Sequence, residues 1–240
     1  MFERDVDYPA AVSSYDDDGV TAAIDWCVQH MAEGDTLTVW TSQKSNLRNC
    51  AQLEQLVARN RDVEHVTGRG GAILRGTGPV LMAWAHMDDI GELVRSGGRR
   101  IRALCVITWS EEAIRPWVTA VRPTLLGDGS AWQDLTPDLD PVVVEALIGL
   151  TASINHNNTI SAGYEKDMVV GALLALHDAG IPMDGAAMQG WALAHGWSGK
   201  NPERLAEYVR NINIGKRPRS RHVLRTDYVD RLRRRAADAS

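Results

Sequence analysis

A chain of 240 residues, 44% hydrophobic and 24% charged, has the composition of a soluble globular protein and suffices for one large domain or two small ones. No apolar run approaches a membrane span, and the opening MFERDVDYPA carries charges where a signal peptide needs its apolar stretch, so a cytoplasmic protein is expected. The net charge of −5 conceals an asymmetry: residues 1–140 hold 13 basic and 21 acidic side chains, whereas 198–235 hold 12 basic and 4 acidic, which points the C-terminal end towards an anionic partner.

From the N-terminus, Asp16–Asp18 can cap a helix whose apolar positions Val20, Ala23, Ile24, Cys27, Val28 and Met31 form one stripe, with Gly34 placed to end it. Thr36–Thr41 reads as a strand, a helix is expected from about Ser45 with Leu47, Cys50, Leu53 and Val57 on one face, and Asp62–Val66 is a weaker strand. Pro79–Ala85 (PVLMAWA) and Ile101–Trp109 (IRALCVITW) are apolar on consecutive positions, as strands buried on both faces of a parallel sheet are. A helix from Met87 to about Arg95 lies between them, and another follows around Ile114, Trp117, Val118 and Val121, with Pro116 in its first turn or kinking it. Alternation of strands and helices predicts a Rossmann-like α/β domain over residues 1–126.

In such sheets ligands sit beyond the carboxyl ends of the strands. Those ends offer Ser42, Lys44 and Ser45, then His86 and Asp88, then Ser110 beside Glu111 and Glu112. Lys44 and Ser45 at a helix start can hold a phosphate or carboxylate, and His86 with Asp88 can move a proton or bind a metal. The same residue types also serve as ordinary helix caps and first-turn acids. The run Gly68–Gly78 (GRGGAILRGTG) has the glycine spacing of a P-loop but places Thr77-Gly78 where Lys-Ser/Thr is required, so a loop or hairpin carrying Arg69 and Arg75 is expected instead. Cys27, Cys50 and Cys105 are odd in number and widely spaced without a CxxC, which reads as buried free thiols; no metal and no cofactor is implied.

Residues 127–140 are rich in Gly, Asp and Pro and read as a linker. Beyond it the pattern is wholly helical, a small bundle over 141–221 followed by a charged helix or tail over 222–240. Pro141 opens the first helix, a long one spans about Tyr164–Ala179, and Asp184 caps a third. Asn201-Pro202 form a cap and first-position pair for the fourth, and Asp227–Ala237 form the last. The polar stretch 154–160, with His156 among asparagines, reads as capping rather than metal binding.

The pairing of ALCVITWSEEAIRPW in an α/β part with GWALAHGWSGKNPERLAEYV in a helical part resembles an uncharacterised two-part bacterial family, which implies the domain split. The helix–Gly-Trp-Ser-Gly-Lys–helix stretch over 187–216 is also similar to SAP-type helix-extended-helix modules, which implies DNA binding. The leading expectation is therefore nucleic-acid association. It would use Lys200, Arg204 and Arg210 on a helical unit and Lys216, Arg217, Arg219 and Arg221 on an extended basic arm. Two alternatives stand beside it. One is a nucleotide or small anionic ligand in the α/β crevice lined by Ser42, Lys44, Ser45, His86, Asp88 and Ser110. The other is a protein-interaction module using some of the eight tryptophans.

Overall fold

The computed structural model describes residues 8–68, 73–132, 135, 139–155, 158–197 and 199–239. Between residues 135 and 139 the chain passes from one compact unit to another. The first is an α/β layer built on six parallel strands in the order β3-β2-β4-β5-β1-β6. These are β1 (Ala10–Ser13), β2 (Leu37–Thr41), β3 (Val63–Thr67), β4 (Gly78–Ala83), β5 (Ile101–Ile107) and β6 (Thr124–Leu126). Four helices connect them: α1 (Asp17–Gln29), α2 (Ala51–Arg59), α3 (Met87–Gly97) and α4 (Glu111–Val121).

The consecutive apolar runs are interior strands, since β2 and β4 are buried at every position and β5 at all but Arg102. Val20, Ala23, Trp26 and Cys27 of α1 and Leu53 of α2 share one core cluster with Ala11, Leu37, Leu81, Ala103 and Cys105 of the strands. The alternate strand positions Val12, Val80, Met82, Leu104 and Val106 are just as buried, and α3 packs against α4. Connections through α1 and α2 run towards β3 and those through α3 and α4 towards β6, so right-handed crossovers place the two helix pairs on opposite faces.

Several local expectations need correcting. The stretch after β2 is a 3₁₀ segment, Lys44–Asn49, and the α-helix begins only at Ala51. Neither β1 nor β6 was expected: AAVS is small-residue and short, and TLL is a three-residue edge. The glycine-rich run is no hairpin, because β3 and β4 are parallel to β2 on its two sides. Residues 73–77 instead return the chain to the start of β4, where the Thr36 N–H donates to the Thr77 carbonyl; residues 69–72, with Arg69, lie outside the described residues. Pro116 sits in the second turn of α4. Cys27 and Cys105 are buried free thiols, burial beside Cys105 pushing the Cys27 thiol well above its ordinary range, but Cys50 is only half-buried.

The second unit contains α5 (Pro141–Ser153), α6 (Gly163–Asp178), α7 (Gly185–Ala194), α8 (Asn201–Asn213) and α9 (Tyr228–Asp238). Its core gathers Val143, Leu147, Leu173, Leu176, Met188, Trp197, Leu205 and Val209 around α5, α6, α7 and α8. Asp140 and Asp184 cap α5 and α7 through their carboxylates, as their types predict. Asn201 does not cap α8. It lies inside the helix, 4% exposed, and its carboxamide accepts from the Ile160 N–H and donates to the Asn158 carbonyl. His156 and Ser198 fall outside the described residues. Among the described residues no helix is long and apolar enough to cross a membrane.

Candidate functional site

β2 and β4 are neighbours whose connections leave in opposite directions, β2 towards β3 and β4 towards β5. That divergence leaves a crevice beyond their carboxyl ends, the usual ligand position of an open α/β sheet. A cavity of about 470 Å³ lies there. Tyr15 reaches it from the β1–α1 loop, Asp17 from the first turn of α1, Asn46 and Asn49 from the 3₁₀ segment, Cys50 and Gln52 from the start of α2, and Trp84 and Trp109 from the ends of β4 and β5.

The three aromatics share an origin: each stands one or two residues beyond the end of an interior strand. Trp84 is the most constrained. Its N–H still donates to the Ile107 carbonyl at 2.8 Å, yet its φ of 60° is left-handed, a conformation that costs a bulky residue about 1–2 kcal/mol. Trp109 and Tyr15 are 66% and 64% exposed, large aromatic faces open to solvent beside the cavity. Asn46 is oriented by a hydrogen bond from its amide to Ser42 Oγ at 2.8 Å, and Gln52 is tied to the Asp17 carbonyl at 3.4 Å.

The electrostatics of this edge are one-sided. The described loops and first helical turns after β1, β2, β4, β5 and β6 carry Asp16, Asp17, Asp18, Glu54, Asp88, Asp89, Glu111, Glu112 and Asp128 against Lys44 and Arg48. At the N-terminus of α1, where a nucleotide-binding fold would receive a phosphate, Asp16 Oδ1 already accepts from the Gly19 N–H at 2.8 Å. The Ser14 hydroxyl beside it and the Gly19 N–H bonded to it hold the Asp16 carboxyl below its usual range. Asp89 moves the other way, raised by burial against the N–H bond it accepts from His86 at 2.9 Å. Among the described residues no three His, Cys, Asp or Glu side chains converge as a metal-binding set.

None of the six crevice residues expected from sequence lines the cavity. Ser42 braces Asn46, and Lys44 and Ser45 are exposed at the start of the 3₁₀ segment. The backbone N–H of His86 is bound by Asp89 at the start of α3, in whose first turn Asp88 stands exposed. Ser110 precedes α4 in a turn closed by Thr108 Oγ1. The cavity lies beyond strand ends that the sequence also singles out, and other side chains line it.

One titrating group near this edge is worth a measurement. Thr41 Oγ1 donates to the Gln43 carbonyl, so it accepts from His65 Nε2 at 2.8 Å. Burial, then the Lys44 charge, lowers the His65 pKa from its ordinary 6.5. A base with a depressed folded pKa binds fewer protons folded than unfolded, so its stabilisation is complete above 6.5 and is lost as pH falls through the folded value. Melting temperature is therefore expected to decline from pH 6.5 downward in the wild type and to stay flatter in that window in His65→Gln. The lowered carboxylates, Asp178 at about 2 among them, lose their contribution only at more acidic pH.

In the helical unit the basic arm proves to be docked. Residues 216–222 run antiparallel along α6. Arg217 makes a paired contact with the Asp178 carboxylate at 2.7 Å through each nitrogen, and Lys166 Nζ donates to the Arg219 carbonyl at 2.6 Å. Ser220 Oγ donates to the Asp167 carbonyl, and His222 sits edge-on to Tyr164. Gly171 gives the strap room, since a Cβ there would meet Ser220 Oγ at 3.2 Å. Arg204 is engaged with Thr159 Oγ1 at 2.6 Å, and Lys216 with Asn211 at 3.1 Å. Lys200, Arg210, Arg219 and Arg221 present exposed side chains. Trp191 and Trp197 are buried, Trp191 stacked on His195 at 3.7 Å, so neither offers a stacking face to a partner.

No curated protein and no solved structure matches the chain. The likeness to SAP-type modules gains no support from the family comparison. Residues 139–233, from the start of α5 into α9, match the model of a domain of unknown function, DUF1889; that similarity covers the helical unit and leaves out the α/β unit with its crevice.

Proposed function

We propose that the α/β unit is a recognition module that takes a small organic molecule in the crevice beyond β2 and β4. The observation that carries this reading is the convergence of Tyr15, Trp84 and Trp109, from three separate strand ends, on one cavity of about 470 Å³. That volume falls in the range of small-molecule pockets, which are mostly apolar with a few polar groups fixing orientation. Asn46, Asn49 and Gln52 supply such groups, each offering both donor and acceptor. A thermal-shift screen of soluble heteroaromatic and amine metabolites tests it. At least one compound should raise the melting temperature of the wild type and leave Trp109→Ala unmoved, Trp109 being exposed enough for the fold to tolerate its loss. A screen without such a compound, or one whose hits shift both proteins equally, refutes the reading.

A second reading, nucleic-acid association of the helical unit as a cytoplasmic DNA-binding protein, is favoured by one observation. The strap holds Lys216, Arg219 and Arg221 exposed along α6, and α9, which brings Arg231, Arg233, Arg234 and Arg235 exposed, also packs on α6. Exposed arginines on a fixed frame neutralise phosphates and release counterions. The SAP-type likeness and the roles of Lys200, Arg204 and Arg210 belong to the same reading. Mobility shifts with a short DNA duplex should weaken steeply between low and moderate salt. The Lys216→Ala/Arg219→Ala/Arg221→Ala variant should flatten that log–log slope by about three units. Absence of wild-type binding, or an unchanged slope, removes it.

A further inference from the structure

We infer that the crevice selects an organic cation, a quaternary ammonium or protonated amine, over an anion; this rests on the recognition reading above. Aromatic rings carry a negative face, and several rings around one cavity are the recurring means of holding an ammonium group, because they attract it without the desolvation problem of a buried carboxylate. Here Tyr15, Trp84 and Trp109 provide the rings, and among the described lining residues the one charged side chain is Asp17. The left-handed backbone at Trp84 places an indole at the strand end, where a continued strand would have buried it between the sheet and a helix.

The surrounding field has the same sign. Among the described loops and first helical turns after β1, β2, β4, β5 and β6, nine carboxylates stand against two permanent cations, and low-dielectric walls focus such a field into a cleft. At α1 the feature that lets related α/β folds take phosphates is closed off, because that N-terminus is capped by its own Asp16 and followed by Asp17 and Asp18. Lys44, the cation nearest the β2 end, acts on His65 of β3 and is not among the residues lining the cavity. A nucleotide or other anion would therefore meet repulsion at the rim and find no cation among the described lining residues.

The test uses the full chain and three probes read by intrinsic tryptophan fluorescence: choline, its uncharged carbon isostere 3,3-dimethylbutan-1-ol, and inorganic phosphate. Choline should give a saturable change that the isostere reproduces only at roughly tenfold higher concentration, and phosphate should give none. Asp17→Asn should weaken choline by roughly tenfold with an unchanged circular-dichroism spectrum, and Trp109→Ala should weaken both choline and the isostere. Equal binding of choline and the isostere overturns the assignment, as does phosphate binding that Asp17→Asn does not alter. If choline gives no saturable change while the thermal-shift screen yields a neutral or anionic compound dependent on Trp109, the crevice stands and its cation selectivity falls. If neither experiment gives a Trp109-dependent signal, both fall.

Discussion

Gly19→Ala is expected to destabilise the α/β unit by about 3 kcal/mol, lowering its melting transition by about 10 °C, and to abolish binding in the crevice. In the first turn of a helix the exchange would ordinarily help, since alanine is the better helix former by about 1 kcal/mol. The neighbourhood of Gly19 reverses the sign. A Cβ there would stand 2.5 Å from the Ser14 carbonyl oxygen and 2.3 Å from Ser14 Oγ, and backbone cannot yield as the tip of a flexible side chain can. The Gly19 carbonyl also accepts from Ser13 Oγ at 2.7 Å, and its N–H holds Asp16. Pushing residue 19 outward therefore breaks both anchors of the loop and first helical turn that carry Tyr15 and Asp17 to the cavity. Gly149→Ala in α5 is the control, because nothing lies within 4 Å of its added Cβ, and it should stabilise the helical unit by about 1 kcal/mol. Scanning calorimetry on the full chain reads both; equal transitions for Gly19→Ala and wild type would show that the β1–α1 loop is not clamped as the contacts imply.

That loop also shows where sequence reading stops. The layered parallel sheet was legible because β4 and β5 are apolar on successive positions, which only strands covered on both faces tolerate; α1 and α7 were legible in their stripes and carboxylate caps, and α5 in its stripe and first-turn Pro141. β1 was not, since Ala-Ala-Val-Ser lacks the β-branched and aromatic signature; its pairing with β5 and β6 is imposed by the sheet. Without β1, Tyr15 had no strand end to follow.

Trp84 and Trp109 were hidden differently. Each extends an apolar run and reads as one more buried strand residue, and only the point at which the strand stops sends the indole into the crevice. At Trp84 that point is a backbone turn with φ of 60°, which no side-chain pattern announces. The sign of the surrounding charge, by contrast, stood in the sequence as Asp16–Asp18, Asp88-Asp89 and Glu111-Glu112, read there as helix caps and first-turn acids, with Asp88 also paired to His86 for proton transfer. Helix-favouring acids at three strand ends in succession also set the potential of the cleft between them.

Asn201→Ala is the second large effect expected, about 2–3 kcal/mol of destabilisation in the helical unit. α8 grips the turn between α5 and α6 with three side chains spaced along one face. Asn201 takes the Ile160 N–H at 3.1 Å and the Asn158 carbonyl at 2.9 Å, Arg204 reaches Thr159 Oγ1, and Tyr208 donates to the Ile160 carbonyl at 2.8 Å. The three contacts are unequal because burial differs. Ile160 is 1% exposed, so alanine at 201 strands its N–H with neither protein nor water to receive it, the circumstance in which a lost partner carries the full desolvation penalty. Tyr208→Phe leaves a carbonyl, a more forgiving orphan, and should cost about 1 kcal/mol. Arg204→Ala releases an exposed hydroxyl to water and should cost less than about 0.5 kcal/mol. Urea titrations followed by circular dichroism should return that order. If Asn201→Ala unfolds at the wild-type midpoint, a water replaces the carboxamide and the turn is held by hydrophobic burial of Ile160 alone; if Arg204→Ala proves the costliest, its guanidinium is a structural clasp and leaves the set of cations available to nucleic acid.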